Sequence, residues 1–123
     1  MNIDITFTRS PIALPPPSLP SREIGAVVEF HGIVRETEGG EVITGLDYEA
    51  YEPMAVRQLE GHLWELNALH QCLAVTFIHR LGRVPVGEAS LYLRVAAKHR
   101  GPALALCGAL IDRMKDDVPI WKR

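Results

Sequence analysis

The basic residues of the last quarter have the types and spacing for acid/base and anion chemistry. Lys115 and Lys122 flank a bend forced by Pro119, and His99-Arg100 stand just before the apolar helix that ends at Lys115. Desolvation and neighbouring cations both disfavour an ammonium, and the neutral amine that results can act as a base or a nucleophile. His99 and Arg100 precede a first helical turn, where free backbone N–H groups and the positive end of the dipole favour an anion. Arg35 lies just past a strand end. If it converges with His99 and Arg100, the set suits a phosphate, since arginine offers a planar fork of donors and histidine donates while remaining titratable. Plainer readings stand beside these. Lys115 can simply complement a helix C-terminus, Lys122 and Arg35 can be solvated, and Asp112, Asp116 and Asp117 are close enough to pair with a lysine and keep it charged.

Other chemistries find less support. His31, His62, His70 and His79 form no HxxxH or HExxH pattern, so no metal is expected. Cys107 falls within the apolar helix as a small core residue, and Cys72 is read as the more exposed of the two. There is no Walker loop, GxGxxG or GxSxG. The 123 residues suit a single domain spanning 1–123, and 47% apolar with 23% charged residues is globular composition. A net charge of −2 gives no overall positive field for nucleic acid or anionic membrane, so any anion must be held locally. Without a secretory signal pattern or a spanning apolar run, a cytoplasmic, reducing location is expected.

The elements that must position these groups follow from periodicity. Ile3, Ile5 and Phe7 alternate with polar residues as a short strand at a sheet edge, and five prolines within residues 10–21 make an extended connection. Residues 25–35 read as a strand covered on both faces, with Gly32 marking a bulge. A polar loop with Gly39-Gly40 leads to a strand over Leu46–Tyr51, and a hairpin joining these two strands is the economical reading. Pro53 opens a helix whose stripe is Ala55, Val56, Leu59, Leu63, Leu66 and Leu69. Strands over Val75–His79 and Ser90–Ala97 flank a turn-rich stretch, and the last helix spans Gly101–Lys115, apolar over most of its surface. Trp121, beyond Pro119, calls for apolar cover. The order implies an α+β fold, a mostly antiparallel sheet with two main helices packed on it.

The residues also carry a family resemblance. Gly25-Ala26-Val27-Val28 leading to Phe30, Gly32 and Val34-Arg35, then Tyr48-Glu49-Ala50-Tyr51, His79-Arg80-Leu81-Gly82, His99-Arg100, Ile111-Asp112, Lys115 and Val118-Pro119-Ile120-Trp121-Lys122, resemble the large, catalytic subunit of molybdopterin synthase. The resemblance implies an α/β-hammerhead-like fold and a homodimer within a heterotetramer, with a ubiquitin-like small subunit at each end. That partner would bring sulfur as a thiocarboxylate on its C-terminus, and the substrate would be cyclic pyranopterin monophosphate, converted to molybdopterin with no cofactor held by this chain. By position Lys115 looks like the principal catalytic lysine and Lys122 like the second. Arg35, His99 and Arg100 look like the anion-binding set, in a pocket completed across the dimer interface, with Phe30 and Ile111 lining the site. Two rival expectations are a non-catalytic module that only binds the ubiquitin-like partner, and a small phosphate-ester hydrolase using the Arg/His cluster.

Overall fold

In the computed structural model, which describes residues 1–16 and 19–122, two helices pack on one face of a four-stranded sheet and a smaller sheet stands at its end. Pro17, within the proline-rich run, and Arg123 lie outside the described residues. The elements in chain order are β1 (Asn2–Thr8), β2 (Ala26–Ile33), β3 (Thr37–Glu38), β4 (Glu41–Val42), β5 (Gly45–Ala50), α1 (Glu52–Leu69), β6 (Ala74–Arg80), β7 (Gly82–Pro85), β8 (Ala89–Ala97), α2 (Arg100–Asp117) and β9 (Ile120–Lys122). The larger sheet runs β1-β6-β8-β2, with only β1 and β6 parallel, and the smaller runs β7-β5-β9, all antiparallel. The architecture is α+β and mostly antiparallel, with β1 at a sheet edge.

Alternation explains the main core. Val75 and Phe77 on β6, and Leu91, Leu93 and Val95 on β8, turn the same way and meet the stripe Ala55, Leu59, Leu63 and Leu66 of α1 and Ala103, Leu106, Cys107 and Leu110 of α2. On the opposite face, the Arg94 guanidinium donates to the Tyr92 hydroxyl and, at 2.9 Å, to the Pro15 carbonyl, so the proline-rich connection is tied to the back of the sheet. Pro53 sits in the first turn of α1, where its missing N–H costs nothing. Among the described residues, no helix is long and apolar enough to cross a membrane.

Several local expectations are corrected. β2 and β5 do not form a hairpin: β2 pairs with β8, while β5 pairs with β7 and β9 in the other sheet. What joins them is a small hairpin of its own, β3–β4, whose Gly39 and Gly40 take φ of 58° and 82°. Nor is β2 covered on both faces, since it is an edge strand with Val27 and Ile33 exposed. The bulge at Gly32 is present as a register shift against β8. Leu104 stands exposed on α2 and Trp121 is 54% exposed, because β9 turns it away from the core. Cys72 is buried, and desolvation pushes its thiol up to about 11.

A cationic cleft between the two sheets

The sites of Arg35, Lys115 and Lys122 are set by three local constraints. Val34 is buried with Leu46 and Val84 and exchanges backbone hydrogen bonds with the 87–88 turn: its N–H donates to the Glu88 carbonyl, and its carbonyl accepts from Gly87. Arg35 therefore leaves the sheet end from a fixed point. Lys115 lies in the last turn of α2, which stops where Val118 becomes extended before Pro119. Val118 is buried and Ile120 packs against the main core, so the bend is pinned on its inner side. β9 then pairs with β5, setting Lys122 opposite Tyr48 and Ile120 opposite Ala50, and the Tyr51 N–H donates to the Pro119 carbonyl at 3.1 Å.

These elements enclose a cleft of about 470 Å³. Arg35, Lys115 and Lys122 line it together with Phe30 and Ile111. Glu38, presented by the β3–β4 hairpin, also lines it and accepts a 3.0 Å hydrogen bond from Lys122 Nζ. That hydrogen bond, the Lys122 charge and the Arg35 charge hold the Glu38 carboxyl below its ordinary 4.5. Three cations against one carboxylate leave the lining net positive. No salt bridge engages Lys115 among the described residues. Of the aspartates considered as its partners, Asp117 instead meets His62 of α1 at 2.7 Å.

His99 and Arg100 are elsewhere. They occupy the N-terminal end of α2, exposed, and Arg100 is about 22 Å along the helix axis from Lys115 at 1.5 Å per residue. Within one chain they do not join Arg35. Conversely, His79 lines the cleft although its spacing suggests only the absence of a metal site. A usable signal existed, because His79 continues the alternation of Val75 and Phe77 on the face that packs against the helices. Among the described residues no group of histidines, cysteines or carboxylates could hold a metal ion.

Fold and cleft together define an α+β protein whose two sheets and second helix frame a cation-lined cleft. Over residues 8–117 the chain matches the family described as MoaE protein, and it belongs to that family. It is 42% identical over 99 residues to a molybdopterin synthase catalytic subunit of Oryza sativa subsp. indica, a match covering 80% of this chain and 51% of the relative. The chain thus spans about half the length of the plant relatives it matches. A crystal structure of molybdopterin synthase from Staphylococcus aureus superposes with a TM-score of 0.83 at 31% identity, covering 94% of this chain and 86% of that one. A complex of subunits 1 and 2 of the molybdopterin-converting factor from Helicobacter pylori 26695 superposes at 0.69, also at 31% identity, covering 82% and 66%.

Proposed function

We propose that this chain is a molybdopterin synthase catalytic subunit, a cytoplasmic sulfurtransferase that builds molybdopterin from cyclic pyranopterin monophosphate. The sulfur donor in this reading is the thiocarboxylated C-terminus of a ubiquitin-like small subunit. The observation that carries it is the gathering of Arg35, Lys115 and Lys122 on one cleft of a chain in the MoaE family. A cyclic phosphate needs cations that are already in place, and release of sulfur from an acyl carbon needs a group to move a proton or hold the acyl transiently. Lys115 has no carboxylate partner among the described residues and takes the acid/base or acyl role. Lys122, already bonded to Glu38, supports charge. Neither a partner-binding module nor a phosphate-ester hydrolase has a use for both lysines.

The assembly proposed is a homodimer carrying a small subunit at each end, with His99 and Arg100 of a second copy completing the anion site. Edge strand β2 supports this. It exposes Val27, Phe30 and Ile33, and such an apolar edge is a natural surface for another chain to cover. The decisive test is Lys115→Ala. The exposed site predicts an unchanged fold, while product from substrate and thiocarboxylated partner falls at least about a hundredfold, the low end for loss of an acid/base group. Wild-type turnover by this variant removes Lys115 from the mechanism.

A further inference from the structure

The deepest polar group in the cleft is an imidazole. His79 is 3% exposed, yet it lines the cleft. Its Nδ1 lies 2.8 Å from the Arg80 carbonyl oxygen, and because a carbonyl only accepts, Nδ1 carries the proton. Nε2 is left with a lone pair. Burial holds the ring below its ordinary 6.5, so it is neutral at physiological pH. The ring is also fixed in direction, with Tyr48 edge-on at 5.0 Å and Phe77 and Phe7 at 6.3 and 6.4 Å.

Nε2 has no hydrogen-bond partner among the described residues. The side-chain polar atoms there that are both sealed and unpartnered are Gln58 Oε1 and Arg80 Nε, so Nε2 keeps contact with open space, and the space His79 borders is the cleft. Ser90, the other buried polar residue of the lining, is engaged, donating to the Gly32 carbonyl at 3.3 Å. An oriented acceptor thus waits within an otherwise apolar, aromatic part of a site whose cations are exposed.

We propose that His79 Nε2 accepts a hydrogen bond from a ring N–H of the substrate, reading the donor edge of a pterin-like heterocycle while Arg35 and the lysines hold its anionic end. This rests on the sulfurtransferase reading for the identity of the heterocycle. It adds a specificity contact that the cationic residues cannot supply, because a cation offers no acceptor.

The test pairs two variants. His79→Asn retains a side-chain N–H for the Arg80 carbonyl but removes the acceptor at Nε2, whereas His79→Gln keeps an acceptor at that reach. The expected result is a rise of about three- to tenfold in substrate KM for the asparagine variant, the scale of one neutral hydrogen bond, with kcat little changed and recovery in the glutamine variant. Calorimetry with a reduced pterin lacking phosphate should show the same loss, and inorganic phosphate should bind all three proteins alike. A folded asparagine variant that binds the reduced pterin as the wild type does overturns the proposal. So does a wild-type chain whose His79 Nε2 nitrogen resonance is unmoved by saturating pterin, a measurement that needs no variant to fold. Absence of product from wild-type enzyme, substrate and thiocarboxylated partner would instead sink the sulfurtransferase reading, and the pterin binding results would still decide the role of His79.

Discussion

Gly25→Ala is a sharp test of how β2 meets the junction before α2. A Cβ built on Gly25 lies 2.4 Å from the Lys98 carbonyl oxygen and 3.5 Å from its carbon, while the Gly25 N–H donates to the Ala97 carbonyl at 3.0 Å. The obstacle is backbone, so no side chain can swing aside, and the strand start and the junction must part by more than half an ångström. Overpacking of this kind costs about 1–3 kcal/mol, and weakening the adjacent hydrogen bond adds about 0.5–1.5 kcal/mol. The alanine recovers about 0.4–1 kcal/mol by restricting the unfolded chain. The net expectation is a loss of about 0.5–4 kcal/mol. Gly61→Ala is the internal control, because that glycine is exposed in the middle of α1 with nothing within 4 Å of its added Cβ. There the same substitution should stabilise by about 0.5–1 kcal/mol through helix propensity. Urea denaturation of both variants, compared at equal m, measures the pair. Equal shifts, or a stabilised Gly25→Ala, would refute the close approach and with it the placement of His99 and Arg100 by that junction.

Other outcomes follow from the same geometry. Cys72, pushed from 9.0 to about 11, should alkylate about a hundredfold more slowly than a free thiol in the native chain and normally once unfolded, and mass spectrometry of pulse-labelled protein checks this. His79 has a folded pKa below the unfolded 6.5, so the unfolded chain takes up the proton first as pH falls. Its contribution to stability is therefore complete above 6.5 and is lost as pH drops from there toward the folded value, and wild type minus His79→Asn in urea titrations across that window should show the slope. If a second copy supplies Arg100, mixing inactive Lys115→Ala and Arg100→Ala chains by co-refolding should restore about a quarter of wild-type activity, since half the dimers then hold one intact site. No recovery above the separate variants would show that the two residues do not act across a dimer.

Legibility in the sequence was uneven for physical reasons. The stripe of α1 and the alternation of β6 and β8 follow from burial on one face, and all three elements fall within a residue or two of their sequence-based bounds. Pairing partners are another matter. Periodicity says which residues turn inward but not which strand lies beside which, so proximity in the chain favoured a β2–β5 hairpin that the two-sheet arrangement excludes. β7 and β9 have four and three residues, too short to show alternation, and β7 is hidden in a stretch rich in glycine and proline. At the site, residue type pointed to Arg35, Lys115 and Lys122, which share the cleft. The 22 Å or so that separates Arg100 from Lys115 follows from fifteen residues of one helix, and the inward turn of His79 from its alternation with Val75 and Phe77, but that His79 borders the cleft depends on where the second sheet sits, which spacing does not hold.

The strand order β1-β6-β8-β2 also dictates an order of assembly. Asn2 pairs with Ala74, Ala26 with Ala97 and Tyr48 with Lys122, so the first strand of the chain, its second strand and the small sheet all wait for segments made much later. Only β6 and β8 are near neighbours in the chain that pair within the large sheet, and with α1 just before them they form the natural nucleus. Loop closure must precede most pairing, which puts this chain among the slower folders for its size. During synthesis β1 emerges from the ribosome well before residues 74–80 and is left unpaired until they follow, so pulsed hydrogen exchange should find its amides protected after those of the β6–β8 pair.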